Sequence, residues 1–594
     1  MNNRREFIKR SAMAGISISG FALANSDVIA GNQATLFNVK TTELPARTIY
    51  KSISFDVSEC PGELPEKAIG IFHRLLTEHT GIDFAKTGNN TLKIKLRIIP
   101  QSMPSEAFRI EIQAEQISIF ASDENGILYG LGKFLHTSFL NESGFSPGSW
   151  QGLSVPEKPF RNIYFATHFH NFYHEAPVEK VINYIEELAF WGYNTITVWF
   201  DMHGFTGINE PAAQAMLDRL AIILQAGKEA GMKIMLTMLA NEGYSTSPKE
   251  LRAVTPRQIR LRGHYGVEIC PSQPGGLELI EKQFGEEIDA FQKRGLTIDY
   301  LSLWPYDQGG CGCDRCTPWG SNGYLKAAKK ITELAHQKNP GVQVVLSTWL
   351  FDCVEVEGEW AGLAEAFSKE KPWVDYIMAD SHETYPAYLL QNPVPGNLPL
   401  LNFPEISMWN SWPWGGFGAN PLPDRFQQLW NAVCDKVAGG YPYSEGIFED
   451  LNKIIYSGFY WESRKSAMES IREYIAFEFS SEHIEAISEA ISIMEKNHGL
   501  RKSGGKGANI KFDVPPKDFG AEKAYRLLME VDNKLSVRIK ESWRWRILLL
   551  RAMFDFEIRK TKGLTNEKIE AGLKELNLLY YAEKAEPSVR PPLG

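Results

Sequence analysis

The 594-residue chain carries 63 Lys and Arg against 72 Asp and Glu, for a formal net charge of −9 and a pI near 5.9. Hydrophobic residues make up 43% and charged residues 23%, a balance that calls for large packed cores and excludes extended disorder. No basic stripe appears beyond the N-terminal leader, which argues against nucleic acid as a partner, and the length allows about three domains.

The leader itself reads as a twin-arginine signal peptide over residues 1–24. Asn3-Arg4-Arg5-Glu6-Phe7-Ile8-Lys9 carries the paired arginines, residues 11–23 form a short run of small and apolar residues, and Ala22-Leu23-Ala24 supplies a cleavage site. The expectation is a soluble protein exported after folding, periplasmic or secreted, because no other stretch is apolar and long enough to span a bilayer. Residues 48–145 read as a small α/β domain, with strands near 52–57, 92–99, 108–112 and 117–121, a helix over 65–77 and another entered at 123–132. Gly, Ser and Pro cluster over 146–159, which predicts a linker.

From 160 to 460 strand-like runs alternate with helical ones. Strands are predicted at 163–166, 195–200, 233–239, 299–304, 342–349, 374–379, 398–403 and 440–443, with helices between them. Eight such units predict a (β/α)8 TIM barrel, whose active site lies at the carboxyl ends of the strands. The alternative is an open doubly wound sheet, but no phosphate-binding glycine fingerprint follows any strand. Residues 461–594 read as a C-terminal helical domain. Its Trp543-Arg544-Trp545-Arg546 reads either as an exposed basic aromatic cluster or as a helix packing its tryptophans on the barrel.

The chemistry is concentrated at the strand ends. Residues 298–320, IDYLSLWPYDQGGCGCDRCTPWG, run from a buried strand straight into Asp307 and three cysteines. From the second strand onward, the nearest acids are Asp201, Glu242, Asp307, Asp352, Asp380, Glu405 and Glu445, with Glu383 just after the sixth strand. Charges at buried strand ends are costly unless used or hydrogen-bonded, so acids in register on one rim imply a polar cavity. Glycosidic cleavage needs a protonated carboxylic acid for the leaving oxygen and an ionised carboxylate for water or direct attack. The candidates are Asp307 as proton donor, Glu405 as base or nucleophile, and Asp380 beside them.

Fifteen tryptophans and twenty-two tyrosines fit carbohydrate binding as well as core packing. Trp304, Trp349, Trp409, Trp412 and Trp414 fall at or after strand ends and are candidates for stacking on a sugar, while Tyr443 and Glu445 complete the pocket. His168, His170 and His174 follow the first strand and line a sugar pocket or, alternatively, ligate a metal.

Seven cysteines form an odd set without the regular spacing of a disulfide scaffold. Cys311, Cys313 and Cys316 have a spacing that lets three thiolates converge on one structural zinc, with Cys270 as a fourth ligand. A disulfide to Cys270 or Cys353, and free thiols, are the other readings. No cofactor is expected for catalysis.

The N-terminal α/β domain with Gly126-Ile127-Leu128-Tyr129-Gly130-Leu131, the barrel, and the acids on strands four, six and seven together resemble one group of glycoside hydrolases. It contains α-glucuronidases (family 67), hexosaminidases (family 20) and O-GlcNAc hydrolases (family 84). The resemblance covers residues 48–461. By strand position, the α-glucuronidase roles of proton donor and water-activating carboxylates fall on Asp307, Asp380 and Glu405. It also implies that Arg161, at the first strand, binds sugar hydroxyls. This sequence has aspartate where the α-glucuronidases have a strand-four glutamate, and Asp307-Gln308 where hexosaminidases have an Asp-Glu pair. The expected function is an exported exo-acting glycoside hydrolase on a carbohydrate substrate. The alternatives are a non-catalytic carbohydrate-binding barrel and a metal-dependent sugar isomerase or lyase.

Overall fold

The computed structural model describes residues 48–86, 90–113, 116–255, 265–306, 309–353, 357–382, 384–407, 416–505, 509–586 and 590–592. The N-terminal region builds a five-stranded mixed sheet from β1 (Ser52–Glu59), β2 (Thr91–Ile98), β3 (Phe108–Gln113), β4 (Gln116–Ala121) and β7 (Gly152–Ser154), ordered β1-β2-β4-β3-β7. A small hairpin of β5 (Phe139–Asn141) and β6 (Gly144–Ser146) precedes β7. The stretch predicted as a linker therefore contributes an edge strand, because Gly152–Ser154 pairs antiparallel with β3.

Helix Glu124–His136 starts where the Asp123 carboxylate accepts the Gly126 N–H at 2.8 Å, satisfying an amide at its N-terminus. Its glycines explain the motif that opens it. A Cβ on Gly132 would lie 2.3 Å from the Phe190 carbonyl of the barrel helix Val178–Phe190. The missing side chain is what lets this domain dock on the barrel.

The barrel is a closed parallel sheet of β8 (Phe160–Phe165), β9 (Thr195–Trp199), β10 (Lys233–Leu239), β11 (Tyr300–Trp304), β12 (Gln343–Ser347), β13 (Tyr376–Asp380), β14 (Leu400–Phe403) and a divided eighth strand. Its strands are apolar runs buried on both faces, as in β9 and β11. Truncating one such residue, for instance Leu236→Ala, costs about 2–5 kcal/mol. The eighth strand consists of β15 (Val437–Gly440) and β16 (Tyr443–Ser444), both paired with β8. Pro442 interrupts it, having no N–H to donate, yet its carbonyl still accepts the Tyr164 N–H at 3.1 Å.

Beyond Trp461 the chain is mainly helical, with helices Ala467–Glu478, Ile484–Lys496, Ala521–Asp532, Trp543–Lys560 and Glu567–Leu579. Arg544 is buried and donates to Asp450 at 2.9 Å and Glu187 at 2.6 Å, and Trp545 is fully buried. The Trp-Arg cluster is thus a packing face that fastens the helical region to the barrel. Among the described residues, no helix is long and apolar enough to cross a membrane.

Candidate active site

Three of the acidic candidates stand on neighbouring strands at the carboxyl rim. Asp380 ends β13, opposite Phe403 of β14, and its carboxylate accepts the His382 N–H at 2.7 Å. Glu405 follows β14, forms a parallel bridge with Tyr443, and is 1% exposed. Its Oε1 accepts the Ser407 N–H at 2.5 Å. The Ser407 hydroxyl donates to the Tyr443 carbonyl at 2.9 Å and accepts the Glu445 N–H at 3.1 Å, while the Tyr443 phenol donates to Glu445 Oε1 at 2.9 Å. Glu449 adds a second support, accepting the N–H groups of Glu445 and Gly446 at 2.7 and 2.8 Å. Strands seven and eight are joined through side chains where the ladder ends, which holds both glutamates in place.

A second group of acids follows strands two and three. Glu242 accepts the Trp199 indole N–H at 3.3 Å and the His203 backbone N–H at 3.2 Å, and its Oε1 lies 3.0 Å from His203 Nδ1. Burial works most strongly against a charge on His203, but the bond to Glu242 and the charges of Glu242, Asp201 and Glu268 together outweigh it and hold the imidazole above its ordinary pKa. Asp201 is pushed up to about 8 by burial, reinforced by the charge of Glu242 and opposed by His203. Glu287, buried on helix Gly276–Gln292, is pushed well above the carboxylate range by burial and then by the charges of Glu242 and Asp201. Sequence reasoning missed Glu287 and His203. The position of His203 two residues after Asp201 was a legible signal, whereas Glu287 reaches the group from a helix interior.

An aromatic layer connects the two groups. His168 packs on Trp199 at 4.7 Å, Trp199 on Trp304 at 6.3 Å, Trp304 on Trp349 at 5.8 Å, and Trp349 on Phe403 at 5.5 Å between ring centroids. Trp304 is the enclosed centre of this layer. The Trp349 ring is partly exposed, while its indole nitrogen is buried and has no hydrogen-bond partner among the described residues. The three histidines have different hydrogen-bond partners, and the rings of His170 and His174 stack at 4.7 Å. His168 lies 3.1 Å from the Tyr164 hydroxyl, His170 pairs with Glu175, and His174 Nδ1 is 3.1 Å from the Asn171 N–H in a capping box.

Arg161 corrects the expectation drawn from resemblance. As the second residue of β8 it lies at the amino end of the barrel, away from the rim that carries the acids. It is fully buried, donates to Gly192 O at 2.7 Å, Glu106 Oε2 at 2.9 Å and Lys158 O at 3.0 Å, and lies over the rings of Tyr129 and Trp461. Its work is to join the N-terminal domain to the barrel floor. Asp352 is likewise structural, accepting the Glu359 N–H at 2.7 Å while Glu359 accepts its own at 3.0 Å.

Asp307, Glu383, Trp409, Trp412 and Trp414 lie outside the described residues. None of the seven cysteines is in a disulfide in the structure, so none joins Cys270 or Cys353 to the strand-four loop.

No protein-family model matches the chain, and neither does any curated protein sequence. Solved structures do match. BtGH115A, described as a family GH115 4-O-methyl-α-glucuronidase with specificity for decorated arabinogalactans, superposes with a TM-score of 0.55 at 10% identity, covering 91% of this chain and 78% of that one. A GH138 enzyme targeting pectin rhamnogalacturonan II gives 0.54 at 11% identity over 89% and 90% of the two chains. A family 89 glycoside hydrolase from Clostridium perfringens gives 0.57 at 11% identity over 89% and 64%. The fold is one used by glycoside hydrolases of several families, and at these identities the likeness is one of fold.

Proposed function

We propose that the chain is an exported, exo-acting glycoside hydrolase that cleaves a glycosidic bond in oligosaccharide fragments with a carboxylate acid and base. The observation that carries the reading is Glu405, a buried glutamate at the carboxyl end of strand seven, braced by Ser407 and tied through Tyr443 to Glu445. A carboxylate fixed at that rim beside an aromatic layer fits the base or nucleophile of glycoside hydrolysis. Asp307, which follows strand four in the sequence, takes the role of proton donor, and Asp380 shares the rim with Glu405. Like charges at one rim favour a neutral acid beside an ionised base. Trp349, partly exposed, offers a ring to a sugar. Two fold neighbours are named for decorated arabinogalactans and for pectin rhamnogalacturonan II, and side chains of such polymers are the substrates to try first. The N-terminal twin arginine supports export by the folded-protein route.

The test is a panel of aryl glycosides and native oligosaccharides, assayed with the wild type, Glu405→Gln and Asp307→Asn. Hydrolysis that Glu405→Gln abolishes is the expected result. Asp307→Asn should slow substrates with poor leaving groups far more than activated aryl glycosides, whose departure needs little protonation. Sugar binding without turnover across the panel would make the protein a carbohydrate-binding barrel. Activity lost on chelation and restored by metal would place it among metal-dependent isomerases or lyases.

A further inference from the structure

Four cysteines from two barrel loops converge beside the rim. Cys270 closes the long loop after β10, and Cys311, Cys313 and Cys316 belong to the loop after β11. Their sulfur atoms all lie within 4.8 Å of one another, with Cys270 Sγ 3.8 Å from both Cys313 and Cys316. A disulfide needs about 2.05 Å. A tetrahedron of thiolates around zinc, with bonds of about 2.3 Å, has edges of about 3.8 Å. The spacing is that of ligands around an ion.

The surroundings are built for thiolates. Cys270 receives the Ser272 backbone N–H, Cys311 receives that of Cys313, and the Ser272 hydroxyl lies 3.3 Å from Cys316 Sγ. Such donors orient and stabilise metal-bound sulfur. The Cys316 N–H donates to the Cys313 carbonyl at 2.9 Å, a turn that brings both sulfurs to one side. Cys270, Cys311 and Cys316 are at most 1% exposed, whereas Cys313 opens toward solvent and gives an ion its way in.

We propose that Cys270, Cys311, Cys313 and Cys316 hold one structural zinc ion that ties the strand-three loop to the strand-four loop. The same two loops are already stitched by Asn241, whose amide donates to the Ile269 and Gly310 carbonyls at 3.0 and 3.1 Å and accepts the Gly310 N–H at 3.1 Å. Asn241 adjoins Glu242, and Gly309 and Gly310 follow Asp307-Gln308 in the chain. The ion thus anchors the segment that carries Asp307 against the segment that carries Glu242. Four ligands close the coordination sphere, so its part is to hold structure rather than to activate water. Binding converts four thiols to thiolates and releases their protons to solvent.

The test uses the full chain purified without chelator or added metal. Elemental analysis should find about one zinc per chain, as a closed four-thiolate site requires, and all seven thiols should titrate in denaturant without reductant. Replacement by Co²⁺ should give the thiolate-to-metal charge-transfer bands of a tetrahedral four-sulfur site. Cys313→Ser, at the partly exposed ligand, should lose most of the zinc, and Cys353→Ser, outside the cluster, should keep it. Iron instead of zinc, four thiols missing from the titration, or a metal-free protein with seven free thiols would each overturn the proposal. None of these readings depends on hydrolytic activity, so they stand apart from the proposed function.

Discussion

Glu405 meets Tyr443 between strands seven and eight, in a backbone bridge that extends their pairing beyond β14. The Tyr443 phenol then reaches Glu445, so one tyrosine holds the backbone of Glu405 and the carboxylate of Glu445. Glu405→Gln keeps the side-chain shape and an oxygen for the Ser407 N–H while removing the charge. Turnover should fall by about two to four orders of magnitude, with the circular dichroism spectrum and melting temperature close to wild type. A comparable loss of stability would instead make Glu405 a support of that pairing.

Asp201 gives a prediction with a definite sign. Its carboxyl titrates at about 8 in the folded chain against about 3.8 unfolded, so between these values the folded state keeps a proton that the unfolded state has released. The stability this provides is full below about pH 4 and is lost progressively as pH rises to about 8. Asp201→Asn is neutral at every pH. Its melting temperature relative to wild type should therefore climb from pH 4 to pH 8 and then level off, and a flat difference across that range would refute the burial argument.

Arg161 should prove a stability residue. Arg161→Met removes one partner of a buried ion pair and leaves the Glu106 carboxylate facing an apolar side chain, a change that costs about 3–5 kcal/mol. Denaturant unfolding should show that loss, while the folded fraction keeps the wild-type KM. A raised KM with unchanged stability would return Arg161 to the sugar site.

For Trp349, the ring and the N–H are separable. Trp349→Phe retains an aromatic face against Phe403 and His382 but cannot donate. If the N–H is used by substrate, KM should rise about fivefold, the worth of one hydrogen bond near 1 kcal/mol, with little change in melting temperature. An unchanged KM would confine Trp349 to packing.

Much of the barrel is legible in the sequence because its signals are local. An apolar run such as β11 followed by turn formers marks a strand and its exit, and the C-x-C-x-x-C spacing with Cys270 marks four sulfurs that do converge. Contacts between distant residues leave no such mark. Resemblance puts Arg161 with the substrate although it opens its strand, and a residue that opens a barrel strand faces the floor. Its partner Glu106 belongs to another domain, and nothing in the local pattern announces the pair. Asp201 reads as a sugar ligand from its position alone. Its raised pKa arises from burial and the charge of Glu242, against the opposing pull of His203, and only the folded chain brings these groups together.

Residues beyond the last helix return to the barrel rim. The Tyr580 hydroxyl donates to the Glu445 carbonyl at 2.6 Å, and the Glu586 N–H donates to the His170 carbonyl at 2.9 Å. Ribosomes deliver these residues long after the eighth strand. A nascent chain that has emerged only as far as Trp461 therefore has every strand of its barrel but lacks the props beneath Glu445 and the strand-one loop. Maturation of the rim is a late event in biosynthesis, and a fragment trimmed before Tyr580 retains the sequence of the whole barrel while losing the scaffold on which two of its loops rest.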